Sequence, residues 1–153
     1  MLVVKKFTDT THDIQNTISE YIYNYWQEQF NKTHITSVEL LIDSLKNIHT
    51  CLIFFDLSGT IVGTVSVNID TTVLTFNTNY WICNLFVLPE YRKKGYGKYI
   101  LDYTENYLNK QGISIAHLYC NEDLLDFYKR NAWNVSDDNV PDRPLSKIMI
   151  KML

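Results

Sequence analysis

The chain has 153 residues, of which 46% are hydrophobic, with a formal net charge of −3 and a pI near 5.7. This length suits one well-packed domain and is short for two, so we predict a single domain over residues 1–153. The acidic balance argues against a general nucleic-acid-binding protein, because affinity for the phosphate backbone needs a basic surface. No run of 18 apolar residues and no leader with a cleavage site is visible, so we expect no membrane association and a cytoplasmic location.

The first part of the chain is predicted to contain a strand and two helices. The strand covers residues 2–7, and Asp9 or the threonines that follow it can cap a helix that extends to about residue 30. One face of this helix is apolar: Ile14, Ile18, Tyr21, Ile22 and Tyr25. Thr36 and Glu39 form a capping box for the second helix. Its apolar side consists of Val38, Leu41, Ile42 and Leu45.

Three strands are predicted to follow. Residues 51–55 form a buried strand, and Ser58 and Gly59 form a hairpin turn. Apolar residues then alternate on one face of the next strand: Ile61, Gly63, Val65, Val67 and Ile69. Residues 71–78 are polar and are predicted to form a loop or a hairpin tip. A further strand covers residues 80–88, and Pro89 stops it because proline cannot donate to the ladder.

The last third is predicted as helix, strand, helix and strand. The first of these helices follows the strand at 80–88 and ends before Gly112. Its residues at helical spacing are Tyr96, Tyr99, Ile100, Tyr103, Tyr107 and Leu108. A strand over residues 114–120, a helix over 122–131 and a loop with Pro141 and Pro144 come next. A final strand covers 146–149 or beyond.

Cysteine and histidine spacing indicates no metal site. Cys51, Cys83 and Cys120 are isolated in apolar, strand-like stretches, which is typical of core packing. The four histidines are scattered: His12, His34, His49 and His117. We therefore predict no structural zinc.

The segment between the strand at 80–88 and the following helix is typical of a phosphate-binding loop. It reads Arg92, Lys93, Lys94, Gly95, Tyr96 and Gly97. Glycines let the backbone turn sharply toward a ligand, and the helix that begins here directs its positive end at the same place. The alternative is a surface turn with solvated charges. Two other phosphate-binding motifs do not match. The dinucleotide fingerprint needs a third glycine, which is missing, and the nucleotide-triphosphate loop needs serine or threonine after Gly97-Lys98, where this chain has Tyr99.

This segment resembles the acetyl-CoA signature of the GNAT superfamily of N-acetyltransferases. That signature is Arg/Gln-x-x-Gly-x-Gly/Ala after a strand that ends in Val-x-Pro. Here Val87 and Pro89 precede Arg92, Gly95 and Gly97. The resemblance covers about residues 61–133.

A second family signature, Asn-x-x-Ala-x-x-Phe-Tyr, is matched by the stretch that begins at Asn121 and ends at Tyr128. This chain departs from it at Leu124, where the family usually has alanine. It also has Ala132 followed by tryptophan where the family usually has Gly-Phe. Because glycine best takes a left-handed helix end, we predict that Asn131 takes that conformation instead.

The resemblance implies an α/β fold of the α+β type. It implies one GNAT-like domain with a mixed, mostly antiparallel central sheet, splayed between strands four and five and flanked by about four helices. It also implies acetyl-CoA as co-substrate, with the pantetheine arm between those strands and the pyrophosphate on the loop. The implied cofactor-binding residues are Leu85, Phe86, Val87, Arg92, Lys93, Lys94, Gly95, Tyr96, Gly97, Lys98 and Asn121.

For catalysis, the resemblance points to Tyr128 as the group that protonates the departing thiolate. A tyrosine pKa of ~10 lies above a thiol pKa of ~8.5, so the hydroxyl stays protonated at neutral pH. The alternative is that Tyr128 only packs. The general base is open: His117 has a suitable pKa range, and Glu20, Glu28 and Asp70 are further candidates.

These features predict an N-acetyltransferase that transfers an acetyl group from acetyl-CoA to a primary amine of a small molecule, by direct attack in a ternary complex. Glu20 and Glu28 beside Tyr25 and Trp26 suit a cationic amine, although aromatics at helical spacing are also typical of a core. Two alternatives stay open. One is a protein N-terminal or lysine acetyltransferase, and the other is a catalytically silent acyl-CoA-binding module. We expect a monomer or homodimer.

Overall fold

The computed structural model describes residues 1–71, 78–137 and 146–153. Of the loop predicted over residues 71–78, residues 72–77 lie outside the described residues, and so do Pro141 and Pro144. The chain divides into two compact units. Unit 1 comprises Met1–Val67 and Asn84–Ile100, and unit 2 comprises Asn68–Cys83 and Leu101–Leu153.

Seven strands and five helices are described. The strands are β1 (Val3–Lys6), β2 (Thr50–Phe55), β3 (Ile61–Thr71), β4 (Thr78–Val87), β5 (Ile115–Asn121), β6 (Asn134–Val135) and β7 (Ser146–Met152). The helices are α1 (His12–Tyr25), α2 (Gln27–Lys32), α3 (Val38–Asn47), α4 (Tyr96–Lys110) and α5 (Leu125–Arg130). Short 3₁₀ turns cover Phe7–Asp9, Pro89–Tyr91 and Glu122–Leu124.

The strands form one sheet in the order β1-β2-β3-β4-β5-β7-β6. β4 and β5 run parallel, with Trp81 opposite His117, whereas β1 with β2, β2 with β3, β5 with β7 and β6 with β7 are antiparallel. The predicted α/β fold with a mixed, mostly antiparallel sheet is therefore confirmed. No described helix has the length and apolar character that a membrane crossing requires.

The helices of unit 1 begin at side-chain caps. The Thr11 hydroxyl accepts the Ile14 N–H at the start of α1, at 3.4 Å. The Ser37 hydroxyl accepts the Leu40 N–H at the start of α3, at 3.2 Å. The predicted capping box at Thr36 was therefore wrong by one residue. The prediction of one helix to about residue 30 was also wrong, because the backbone leaves helical geometry at Trp26 and α2 starts afresh.

The core of unit 1 lies between α1, α3 and the strands β2 and β3. All six residues of β2 are buried, as predicted for this strand. The buried cluster includes Phe7, Ile18, Ile22, Leu41, Ile42, Leu45, Ile53 and Phe86. Residues 62–67 of β3 are all buried, on both faces of the strand, and Ile69 is exposed. The one-sided burial expected from the alternating pattern was therefore wrong for β3.

Unit 2 has a sheet face that is buried and one that is more open. Along β5 the side chains of Ala116, Leu118 and Cys120 are buried, and those between them are half-buried or exposed. β6 was not predicted, because two residues are too few for a sequence pattern.

The apolar face predicted for α4 was partly wrong. Ile100 and Leu108 are buried as expected, but Tyr99 and Tyr103 are among the exposed large side chains. Leu101 and the hydroxyl residue Thr104 are buried instead. Tyrosines at helical spacing therefore misled the assignment, since the hydroxyl lets a tyrosine lie at a surface.

Candidate active site

The last part of β4 has an irregular backbone. Asn84 has a φ of 53°, which is left-handed and rare within a strand. Such a residue interrupts the pleat and redirects the N–H and C=O groups that follow, as at a β-bulge. The three residues after it are Leu85, Phe86 and Val87, of which Phe86 is buried and the other two are half-buried. This irregularity gives no signal in the sequence beyond the asparagine itself.

The predicted phosphate loop follows a 3₁₀ turn at Pro89–Tyr91 and contains two left-handed residues. Lys93 has a φ of 60° and Gly95 a φ of 85°. Left-handed residues within a turn bring successive N–H groups to one side and form a concave anion site. The Tyr99 N–H bonds to the Gly95 carbonyl at 3.1 Å, so α4 begins directly after Gly95. The first amides of a helix have no partner within the helix and attract anions.

Two of the three cations in the loop contact neighbouring groups of unit 1. Arg92 Nε donates to the Val87 carbonyl at 2.8 Å, and Lys94 Nζ donates to the Glu90 carbonyl at 3.1 Å. Lys94 also lies 5.8 Å from the ring centroid of Tyr91. Lys93, with its left-handed backbone, is exposed. The loop is thus held by its own cations and still carries positive charge at its surface.

A carboxylate fixes the turn before this loop. The Tyr91 hydroxyl donates to Asp56 Oδ2 at 2.8 Å. The other oxygen of Asp56 accepts the Ser58 hydroxyl at 2.6 Å and the Thr60 N–H at 3.0 Å. These hydrogen bonds, led by that of Ser58, lower the pKa of Asp56 from 3.8 to about 2. The carboxylate stays ionised and joins the β2–β3 turn to the residue that precedes the loop. Asp56 was not singled out from the sequence.

The candidate base His117 lies on β5 in an aromatic group. Its ring is half-buried, with its centroid 5.0 Å from that of Trp81. Trp81 also stacks on Tyr119, with centroids 4.5 Å apart and planes at 10°. Sequence reasoning did not single out Trp81 or Tyr119, because their contact depends on the parallel pairing of β4 with β5. The catalytic role of His117 stays a prediction.

The alternative bases and Asn121 lie at exposed positions. Glu20 accepts a hydrogen bond from Asn16 at 3.0 Å, and Glu28 and Asp70 are exposed as well. Asn121, the last residue of β5, accepts the Ser146 hydroxyl through its side-chain oxygen at 3.2 Å.

Tyr128 lies on α5 and is buried. Its ring contacts that of Trp133 edge to face, with centroids 6.2 Å apart. Burial raises the pKa of Tyr128 well above its usual value of 10, and the nearby Cys120 contributes in the same direction. The hydroxyl therefore keeps its proton over the whole neutral and moderately alkaline range. It can donate a proton or a hydrogen bond, and it cannot act as a base there.

Residues at and after the end of α5, where the chain differs from the family signature, fix the helix that carries Tyr128. Trp133 is buried, and its Nε1 donates to Glu105 at 2.9 Å. Lys151 Nζ contacts the other oxygen of Glu105 at 2.7 Å and donates to the Asn131 carbonyl at 2.8 Å. The predicted left-handed conformation of Asn131 was wrong: its φ is −98°, and Ala132 has a φ of 66°.

The candidate residues thus divide between the units. The residues of the loop and of the end of β4 lie in unit 1, whereas His117, Asn121 and Tyr128 lie in unit 2. In unit 2, the hydroxyl donor and the imidazole are on different elements, α5 and β5. Within the described ranges, no three His, Cys, Asp or Glu side chains are grouped so that they could hold a metal ion.

Comparison with known proteins identifies the class. A sequence model of the acetyltransferase (GNAT) family matches residues 15–133. The chain therefore belongs to the GNAT acetyltransferase family, and the predicted recognition is confirmed. Acetyl-CoA is the usual co-substrate of this family, which confirms the cofactor prediction. Comparison with curated protein sequences gives no match.

Solved structures share the fold along almost the whole chain. An aminoglycoside 6'-N-acetyltransferase complexed with coenzyme A has a TM-score of 0.74 at 13% identity, covering 98% of this chain and 96% of the other. The PaiA N-acetyltransferase from Thermoplasma acidophilum, in complex with coenzyme A, has a TM-score of 0.66 at 22% identity, with 100% and 99% covered. An aminoglycoside 6'-acetyltransferase type Ii has a TM-score of 0.71 at 16% identity, with 98% and 96% covered. At these identities the likeness shows the fold.

Proposed function

We propose that this protein is an N-acetyltransferase that uses acetyl-CoA to acetylate a primary amine of a small molecule, by direct attack in a ternary complex. The observation that carries the proposal is the loop of unit 1, where Lys93 and Gly95 are left-handed and α4 begins directly afterwards. This arrangement offers backbone N–H groups to a pyrophosphate. We assign the pyrophosphate to the N–H groups of residues 93–98, with residues 85–87 along the pantetheine arm and Asn121 as a further contact.

Bound acetyl-CoA would supply an acyl thioester, and the residues of the chain would assist its transfer. The amine nitrogen forms a bond to the acyl carbon while the carbon–sulfur bond breaks. We assign to Tyr128 the proton that the departing sulfur receives, because its hydroxyl is protonated at neutral pH and can hydrogen-bond to the sulfur as negative charge develops there. A backbone N–H near Val87 would polarise the carbonyl, and His117 would accept the proton that the amine loses.

The choice of a small amine rests on two supports. Two structural neighbours are named for aminoglycosides, which are polyamines. The overall charge of −3 suits a cationic acceptor better than an anionic one. The cytoplasmic location, the absence of nucleic-acid partners and the monomeric or homodimeric state stay predictions from the sequence.

The cofactor assignment can be tested with two glycines that share one backbone conformation. Gly95 and Gly59 have φ values of 85° and 87°, and a Cβ added at either meets no atom within 4 Å. Gly95→Val and Gly59→Val should therefore cost similar folding free energy. We expect Gly95→Val to lower coenzyme A affinity at least tenfold by calorimetry, and Gly59→Val to leave it unchanged. Equal affinities in both variants would contradict the assignment of the loop.

Turnover separates the proposed function from its alternatives. Thiol release from acetyl-CoA is measured with aminoglycosides, polyamines, amino acids and lysine or N-terminal peptides. Turnover with a small amine supports the proposal, and turnover with peptides alone favours a protein acetyltransferase. Tight coenzyme A binding without turnover on any acceptor favours a silent acyl-CoA-binding module.

A further inference from the structure

The loop contains a backbone conformation that needs support from outside the loop. Lys93 is left-handed, with a φ of 60°. A left-handed residue other than glycine is strained, so it persists only where the surrounding structure holds it. The residue directly before it, Arg92, has the contacts that can supply this support.

The Arg92 side chain is fixed at two places in unit 1. Nε donates to the Val87 carbonyl, which belongs to the last residue of β4. The guanidinium then lies 5.0 Å from the ring centroid of Phe86 and 5.9 Å from that of Tyr25. Among the described residues, these are the two aromatic rings that the guanidinium contacts.

Tyr25 is the last residue of α1, and its ring packs against two other aromatic rings although the residue is exposed. The residue is 62% exposed, and the packing is edge to face, with ring centroids 4.8 Å from Trp26 and 5.6 Å from Phe86. An exposed tyrosine normally samples several rotamers, whereas these two contacts hold the ring in place. A fixed ring face next to a guanidinium gives a cation–π contact.

We propose that Tyr25 is a positioning residue for the phosphate loop: it holds the Arg92 guanidinium against Phe86 and the Val87 carbonyl, and thereby stabilises the left-handed turn at Lys93. The set of Arg92, Val87, Phe86 and Tyr25 is called the Arg92 clamp below. In this role the Arg92 side chain organises the backbone N–H groups that bind the pyrophosphate. The inference rests on the proposed function, because the ligand of the loop is coenzyme A.

Calorimetry of coenzyme A binding tests the Arg92 clamp. Tyr25→Leu keeps an apolar side chain but removes the ring, and we expect the Kd to rise about fivefold, the scale of one cation–π contact. Tyr25→Phe keeps the ring and should restore the parent Kd. Tyr21→Leu is the matched control. Tyr21 lies one turn earlier on α1 and is 37% exposed, and its ring centroid is 6.1 Å from that of the same Phe86 ring.

A double-mutant cycle separates positioning from independent effects. If Tyr25 acts through Arg92, adding Tyr25→Leu to Arg92→Ala should leave the Kd of Arg92→Ala unchanged. Additive losses, an unchanged Kd in Tyr25→Leu, or an equal loss in Tyr21→Leu would overturn the inference. Thermal melts show whether any variant is simply unfolded. If the parent protein itself fails to bind coenzyme A, it is the proposed function that fails.

Discussion

Among single residues, Tyr128 is a buried side chain whose hydroxyl can act only as a donor at neutral pH. The ring is buried beside Trp133, and burial raises the pKa of its hydroxyl. We expect Tyr128→Phe to lower kcat by about 10²-fold, the usual effect of removing a general acid. The ring still packs, so coenzyme A affinity and the melting temperature should match the parent. Steady-state kinetics, calorimetry and thermal melts measure these quantities.

The pH dependence of turnover provides a check on the same residue. Because the folded pKa of Tyr128 is raised, its proton is retained well above pH 10, and the parent should show no loss of kcat from this group below that pH. Turnover in Tyr128→Phe equal to that of the parent would show that the tyrosine only packs.

At the scale of elements, two helices end in the same motif with different residues. Two residues beyond the end of α4 lies Gly112 with a φ of 82°, and two residues beyond the end of α5 lies Ala132 with a φ of 66°. In each, the next residue bonds to a carbonyl five positions back: Ile113 to Leu108 and Trp133 to Tyr128. These are Schellman ends, in which glycine is preferred.

Replacing Ala132 with glycine at the C-terminal end of α5 should therefore stabilise the protein. Ala132 is exposed, so Ala132→Gly loses little packing. Removing the left-handed strain of about 1–2 kcal/mol outweighs the added chain entropy of about 0.5–1 kcal/mol. We expect the free energy of unfolding to rise by roughly 0.5–1 kcal/mol in urea titrations. Gly112→Ala should change it in the opposite direction, and the same sign for both variants would be evidence against this account.

At the scale of the whole molecule, stability depends on a close approach between β3 and β4 within unit 1. A Cβ at Gly63 would lie 2.4 Å from the Phe86 carbonyl oxygen and 2.8 Å from Ile100 Cδ1. The Leu88 N–H bonds to the Val62 carbonyl at 2.9 Å, which holds the strands together beside this point. A backbone oxygen cannot move aside as a flexible side chain can.

Gly63→Ala should therefore destabilise the protein by about 1–3 kcal/mol, the usual cost of overpacking. It should also weaken coenzyme A binding, since Phe86 belongs to the Arg92 clamp. Gly59→Ala is the control, because it adds a Cβ in open space at a left-handed residue and should cost only about 1 kcal/mol. Chemical denaturation and calorimetry measure both effects, and a Gly63→Ala variant as stable as the parent would refute the packing argument.

Much of the fold was predictable because it depends on local periodicity. The β2 strand and the buried side of α3 appeared where the hydrophobic pattern placed them. α4 begins at Tyr96, so the last two residues of the predicted loop belong to its first turn. The helix break at Trp26 and the N-cap at Ser37 were not predicted, because the ends of a helix depend on the backbone angles of single residues. The exposed Tyr99 and Tyr103 show that an amphipathic side chain can lie on the buried or on the exposed face of a helix, so it does not identify the buried face.

The amino-acid sequence was enough to identify the family and the position of the predicted phosphate loop, since both follow from residues at fixed short spacing. It also determined which tyrosine to test, because Asn121 and Tyr128 lie in one short signature. Contacts between distant segments became visible only in the folded chain: Tyr25 with Arg92, Tyr91 with Asp56, Trp133 with Glu105 and Trp81 with Tyr119. A contact between residues far apart in the chain is fixed by strand pairing and core packing, and these depend on the whole chain at once.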